Sequence, residues 1–329
     1  MAATVFRRSH PLTKVEILDL RHFSSADLRP LLNEEVEVWH NLLYWDYRSS
    51  ADMILRYVDA RILPGYAAVE RGSIIGYAFF VYEGSKGVVG DLFVSPLRPD
   101  ASQLESQMAG HVIGALQQSP EIHRVEAQLL TQQTGELNST FAASGFQRYR
   151  RLFLSLRLRG AAAPRIPPAH LSPDIQLRRW VEQDYQPAAG VITAAYRAHI
   201  DSDINDQYRT HAGSIRFLNN IVRFPGCGVF DVEGSFAAIH RPTSSLVGLI
   251  LCSRVKDDVG HVTQVCLLPE YRRQGIGENL IAATANSLRS RQFNLLSLTV
   301  TERNEPAVDL YRRLGFIRAS VFDAFVWEG

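Results

Sequence analysis

Leu268-Pro269-Glu270-Tyr271-Arg272-Arg273-Gln274-Gly275-Ile276-Gly277 follows an apolar run, His261 to Leu267, and leads into a segment with small or apolar residues at Gly277, Ile281, Ala285 and Leu288. The run reads as a strand and the segment as a helix. A strand, a basic glycine-rich turn and a helix N-terminus together form a cradle for phosphate. Backbone N–H groups converge in the turn, and the positive end of the helix dipole points the same way. No Gly-Lys-Ser/Thr follows, so the turn is not a P-loop. The third glycine of a dinucleotide fingerprint is missing as well.

The rest of the chain narrows the setting of this turn. Its 329 residues suffice for two domains, each with a real core. With 46% apolar and 21% charged residues, it has the balance of a soluble globular protein. A net charge of +1 gives no footprint for a polyanion, so no nucleic-acid partner is expected. Cys227, Cys252 and Cys266 show no metal spacing. They read as buried reduced thiols, so a reducing, cytoplasmic location and no metal are expected. Met1 to Lys14 has no apolar signal core, and no stretch approaches a membrane span, so no membrane partner is expected. Asp201-Ser202-Asp203-Ile204-Asn205 resembles the start of a calcium loop, but Asp206 and Ala212 stand where glycine and glutamate are required.

Arg159 to Pro173 holds four prolines and reads as a linker between residues 1–158 and 174–329. The two halves echo each other. Val15 to Leu20 answers Ile175 to Trp180, Ile75-Gly76 answers Val247-Gly248, and Gly145-Phe146 answers Gly315-Phe316. The offset stays near 170 residues, which reads as a duplication. Each half runs β-α-β-β-β-α-β-α-β and ends in a closing strand pair of its own. The first helical region, Ala26 to Ile62, breaks near Ser49-Ser50. The fold class is mixed α/β: two tandem domains, each a mixed, mostly antiparallel sheet flanked by helices.

Val265-Cys266-Leu267-x-Pro269, Arg272-x-x-Gly275-x-Gly277, Asn304, Tyr311 and Leu314-Gly315-Phe316 occur in order over residues 174–329. This series resembles the GNAT superfamily of acyl-CoA-dependent N-acetyltransferases. The tandem arrangement is similar to that of mycothiol synthase, in architecture only. The resemblance implies a bulged strand whose freed edge, at Val265, Cys266 and Leu267, bonds pantetheine and polarises the acyl carbonyl. The same apolar side chains also suit a plain core strand. The resemblance implies further that Arg272, Arg273, Gln274, Gly275, Ile276, Gly277 and Glu278 wrap the pyrophosphate with backbone N–H groups. An exposed Arg272-Arg273 pair reads equally as a solvated turn. Asn304 is implied to contact CoA, though an asparagine ahead of Pro306 also suits a helix start.

Tyr311 is the implied catalytic acid, protonating the departing thiolate; the other reading is a packed helix-face aromatic. Thr299 and Gln264 stand where a carboxylate base is expected in related enzymes, which leaves the base to a water chain or to the acceptor-side loop, His199 to Gly228. Asp201, Asp203, Asp206, Tyr208 and His211 are the candidates there to recognise an amine; a solvated polar loop is the competing reading.

The first half serves as a control. Ser102 and Leu104 replace the two glycines, Thr134 replaces Asn304, and Phe141 replaces Tyr311. Leu97-Arg98-Pro99-Asp100 loses an N–H donor to proline, and Ser102-x-x-Glu105 reads as a capping box. The fold is kept there and the cofactor chemistry lost. The expected activity is transfer of the acetyl group of acetyl-CoA to a primary amine of a small molecule or a peptide N-terminus. A longer acyl group, or a non-catalytic acyl-CoA sensor, is the alternative. Neither the acceptor nor the oligomeric state is legible.

Overall fold

The structure, a computed structural model, describes residues 15–161, 163–164, 166–223 and 228–329; the readings of Met1 to Lys14 and of Cys227 lie outside them. The first half runs β1 (Glu16–Asp19), α1 (Ser25–Leu43), α2 (Arg48–Asp59), β2 (Gly65–Glu70), β3 (Ser73–Glu83), β4 (Lys86–Val94), α3 (Ala101–Gln117), β5 (Arg124–Gln128), α4 (Asn138–Ala143) and β6 (Gln147–Arg157). The second runs β7 (Ile175–Arg179), α5 (Tyr185–Ala195), α6 (Ile200–Ile204), α7 (His211–Val222), β8 (Val229–Phe230), β9 (Phe236–His240), β10 (Ser245–Lys256), β11 (Val259–Leu267), α8 (Ile276–Ser290), β12 (Leu295–Thr301), α9 (Glu305–Arg313) and β13 (Ile317–Glu328). The repeat is therefore visible strand by strand. The offset grows from about 160 at β1 and β7 to 173 at β4 and β11, because α6 and β8 have no counterpart in the first half.

The first helical region breaks earlier than Ser49-Ser50. Tyr44 turns into the left-handed region (φ 60°), ends α1, and sends Trp45 inward before α2 begins. The expected capping box also fails. Helix α3 begins at Ala101 with Asp100 at its N-cap position, so Ser102 already lies inside the first turn. Glu105 turns into the core instead, where burial and the nearby Glu136 push its carboxyl up to about 7.

The strands form one mixed sheet in the order β1-β2-β3-β4-β5-β13-β6-β12-β11-β10-β9-β7, with β8 paired to β10. Among the described residues only β4–β5 and β11–β12 pair in parallel. The halves do not close their own edges with a strand pair. Each has one closing strand, and these are exchanged. Strand β13 inserts between β5 and β6, while β6 pairs along the whole of β12, from Leu295 opposite Arg157 to Thr301 opposite Arg151. Side-chain packing holds the exchange in place. Leu152, Leu154 and Leu156 of β6 are buried in the second half's core with Leu280, Leu296 and Leu314. Phe325 of β13 is buried in the first half's core and stacks on Phe141 at 4.0 Å.

Residues 159–174 contain no helix or strand among those described, and they are tied down. Arg289 donates to the Leu158 and Pro164 carbonyls at 2.9 Å each, Asn279 donates to the Ala169 carbonyl at 3.0 Å, and Ile166 is buried in the second half's core.

Candidate active site

Strands β11 and β12 pair only from Val259 to Val262 and from Leu295 to Leu298. Thr263 is then skipped in the pairing with β10: Cys252 faces Val262 and Leu251 faces Gln264. This bulge bends β11 away, and the two strands splay. A cavity of about 1280 Å³ passes through the gap.

One wall of the cavity faces α8 and α9. Val262, Val265, Leu267, Leu298 and Val300 line it. At its end lies the basic turn. Arg273 (φ 60°) and Gly275 (φ 74°) both take left-handed conformations, and α8 starts at Ile276 without a side-chain cap. A Cβ on Gly275 would lie 3.0 Å from the His170 carbonyl oxygen, so strain and crowding both require glycine. The first helical bond runs from Asn279 N–H to Gly275 O at 3.0 Å, which leaves the preceding N–H groups directed out of the helix end.

The expected site residues divide by what they offer. Val265, Cys266, Leu267, Arg272, Arg273, Gly275, Gly277, Glu278, Asn304 and Tyr311 line the cavity. Gln274 and Ile276 do not: Gln274 donates to the Glu270 carbonyl at 2.9 Å, and the Ile276 side chain is core. Both can contribute backbone N–H groups only. The Arg272 guanidinium donates to the Ala195 carbonyl at 2.6 Å, which ties the turn to the end of α5. Asn304 stands ahead of α9 but does not cap it; its amide reaches toward His199 Nε2 at 3.4 Å. The Tyr311 ring is buried beside Phe316, and its hydroxyl has no hydrogen-bond partner among the described residues. Burial, assisted by Asp201, pushes its pKa far above neutral, so the hydroxyl keeps its proton.

The opposite wall is polar. Trp45, Arg151, His261, Gln264 and Thr299 line it, and Tyr196 at the end of α5 closes it together with His199, Asp201 and Tyr208 of the loop that follows. Gln264 Oε1 accepts from the Tyr196 hydroxyl (2.7 Å) and from the freed Val265 N–H (3.0 Å). Asp201 accepts from the Thr301 hydroxyl and lies 3.6 Å from Arg151. Of the other loop candidates, Tyr208 stacks on Tyr196 at 4.3 Å, Asp206 pairs with Lys86 at 2.7 Å, and Asp203 and His211 are exposed. Cys266 touches the cavity, but burial pushes its thiol up to about 12, so it offers no thiolate at neutral pH.

His261 sits beneath this wall, bonded to the Ser297 hydroxyl at 2.8 Å and packed against Trp45 and Phe153. Burial pushes its imidazole down to about 3. Between pH 6.5 and 3 the unfolded chain therefore takes up a proton that the folded chain refuses. Stability present above pH 6.5 is lost as pH falls, by roughly 5 kcal/mol from this group at pH 3. Urea titrations across that range are expected to show a shallower pH slope for His261→Gln than for the wild type.

The first half has the same bulge, with Gly90 skipped between Val89 and Asp91, and the same early end to parallel pairing at Val89. Its gap is filled. The Leu92 N–H is held by Asp91 (2.8 Å), as Val265 is held by Gln264, but the Leu92 carbonyl is also taken, by Gln132 at 2.8 Å. The void beside Gln132 and Phe325 is only about 10 Å³. Arg98 in the turn is paired with Glu70 (3.1 Å) and Asp100 (2.9 Å). Gln132→Leu leaves the Leu92 carbonyl unpaired and is expected to cost about 1–3 kcal/mol, read as a lower urea midpoint with an unchanged slope.

Sequence reasoning missed Trp45, Arg151 and Tyr196. The first two belong to the first half, and no local motif marks them. Among the described residues, no group of three or more His, Cys, Asp or Glu side chains could hold a metal, and no helix is long and apolar enough to cross a membrane.

Residues 198–316 match the model of the acetyltransferase (GNAT) family. Mycothiol acetyltransferase of Thermobifida fusca (strain YX) is 30% identical over 193 residues, 53% of this chain and 56% of that protein, so the chain spans little more than half of that relative. A GCN5-related N-acetyltransferase from Sphaerobacter thermophilus superposes with a TM-score of 0.67 at 16% identity, covering 95% of both chains. A tandem GNAT protein from the clavulanic acid biosynthesis pathway gives a TM-score of 0.60 at 13% identity, covering 96% of this chain and 98% of that one. With the splayed strands, the uncapped turn and the repeat already in view, these matches show that the second half is similar to the GNAT acetyltransferase family over residues 198–316, and that the fold of the whole chain is shared with a tandem GNAT protein.

Proposed function

We propose that this chain moves the acetyl group of acetyl-CoA to a primary amine by direct attack on the thioester. The observation that carries the proposal is the meeting, in one cavity, of an uncapped glycine turn, a freed strand edge and an unpartnered tyrosine hydroxyl. The N–H groups ahead of Asn279 and the helix dipole suit the pyrophosphate. The freed edge at Val265 to Leu267 suits pantetheine, whose amides bond like an added strand. The acyl oxygen takes the place of Gln264 Oε1 on the Val265 N–H, which then stabilises the developing oxyanion.

The amine nitrogen forms a bond to the acyl carbon, and the carbon–sulfur bond breaks. Tyr311 gives its proton to the departing thiolate. Asp201, the loop carboxylate on the cavity wall, takes the proton that the amine sheds. In this reading residues 174–329 carry the chemistry and residues 1–158 complete the acceptor cleft. The buried free thiols Cys252 and Cys266 suit a reducing, cytoplasmic setting.

The test is acetyl-CoA with a panel of primary amines and short peptides, read as free thiol and as acetylated product by mass. Thiol release that depends on the amine is expected. Tight acetyl-CoA binding with no release for any amine would make the chain a sensor and end the transferase reading.

A further inference from the structure

Three buried side-chain nitrogens on the polar wall lack a hydrogen-bond partner among the described residues: Trp45 Nε1, Arg151 Nε and Gln264 Nε2. All three are donors. Trp45 is 8% exposed and Gln264 4%, so bulk water is largely excluded from them. A buried donor without an acceptor costs about 1–3 kcal/mol, and three on one cavity wall call for an oxygen-bearing ligand group. They belong to one patch. Trp45 packs edge-on to His261 at 4.9 Å, and Arg151 donates to Thr299 at 3.3 Å, on the face of β11 and β12 that carries Gln264.

Charge decides which group. Lys86 is matched by Glu83, Glu126 and Asp206 at 3.3, 3.2 and 2.7 Å. Among the described residues Arg151 has one carboxylate partner, Asp201 at 3.6 Å, and its Nε stays free. One singly charged carboxylate fits beside one such guanidinium. A phosphate dianion beside Asp201 and Glu126 does not. We propose that the acceptor is a primary amine carrying a carboxylate, an amino acid or a small derivative, whose carboxylate docks on Arg151, Trp45 and Gln264. The amine part of this inference rests on the transferase reading; the carboxylate part rests on the three donors. Trp45 and Arg151 both come from the first half, so that half supplies specificity to the second.

The experiment compares the standard amino acids with their amides as acceptors, and measures binding of N-acetylated amino acids by calorimetry. Trp45→Phe keeps the ring packing and removes one donor; Arg151→Gln removes the charge. The acids are expected to exceed their amides at least tenfold in kcat/KM. Trp45→Phe is expected to raise KM for the acid about tenfold, the loss of one hydrogen bond to a charged group, with KM for acetyl-CoA unchanged. Arg151→Gln is expected to raise it more. Amides or simple amines turned over as well as the acids would overturn the carboxylate subsite and leave the transferase reading standing, and so would a KM that neither variant moves. N-acetylated amino acids that bind the wild type and not the variants, with no acceptor consumed, would support the subsite and overturn the transferase reading. No binding and no turnover of any carboxylate would overturn the subsite.

Discussion

A chain cut to residues 174–329 is expected to lose both its fold and all acyl transfer, although it keeps every residue of the family motif. Strand β12 would lose β6 along its whole length, and β13 would lose β5 and β6 together. Burial of Leu152, Leu154 and Leu156 in the second half's core contributes about 5–9 kcal/mol. That is comparable to the whole stability of a typical domain, about 5–15 kcal/mol. The exposed edge of β12 and the freed apolar face would also drive aggregation. Solubility, far-UV circular dichroism and thiol release measure the outcome. Addition of a fragment ending at residue 160 is expected to restore all three. A soluble, active 174–329 fragment would mean that the second half can close its sheet with its own strand, and the exchange would then be dispensable.

Tyr311→Phe is expected to lower kcat about a hundredfold or more, with acetyl-CoA affinity and melting temperature nearly unchanged. The ring keeps its place against Phe316, and the lost hydroxyl leaves no orphaned partner because it has none among the described residues. Burial and the negative charge of Asp201 hold the phenol protonated well beyond neutral pH. The wild-type rate is therefore expected to show no alkaline limb from this group up to pH 10. Rapid-quench thiol release separates the chemical step from binding. An unchanged rate in Tyr311→Phe would remove the tyrosine from the mechanism and leave the thiolate to solvent.

Much of this was legible in the sequence because it is local. The turn at Arg272 to Gly277 carries its own signature, since left-handed backbone at Gly275 requires a glycine that can be read directly. The strand periodicities and the repeat were legible for the same reason. The exchange of β6 and β13 was not. Both closing strands carry a run of five buried residues, Leu152 to Leu156 and Phe322 to Val326, and such a run says that a strand is covered, not by which half. Arg151 and Trp45 were hidden by that same ambiguity: their roles depend on which strands become neighbours. Ser102 and Glu105 misled because cap spacing in a sequence says nothing of tertiary demand. The core beside Gln132 drew Glu105 inward, and the helix began a residue before Ser102.

The filled gap of the first half shows what a bulged strand demands when its own chain closes over it. A bulged strand leaves an N–H and a carbonyl that some partner must satisfy whether or not a ligand comes. At Leu92 the partners are Asp91 and Gln132, both supplied by the chain itself. Without Gln132 the Leu92 carbonyl would stand unpaired in the first half's core. Opening that gap would require removing the glutamine and emptying the space that Phe141 and Phe325 fill. The first half's own packing thus closes the gap that the second half leaves open.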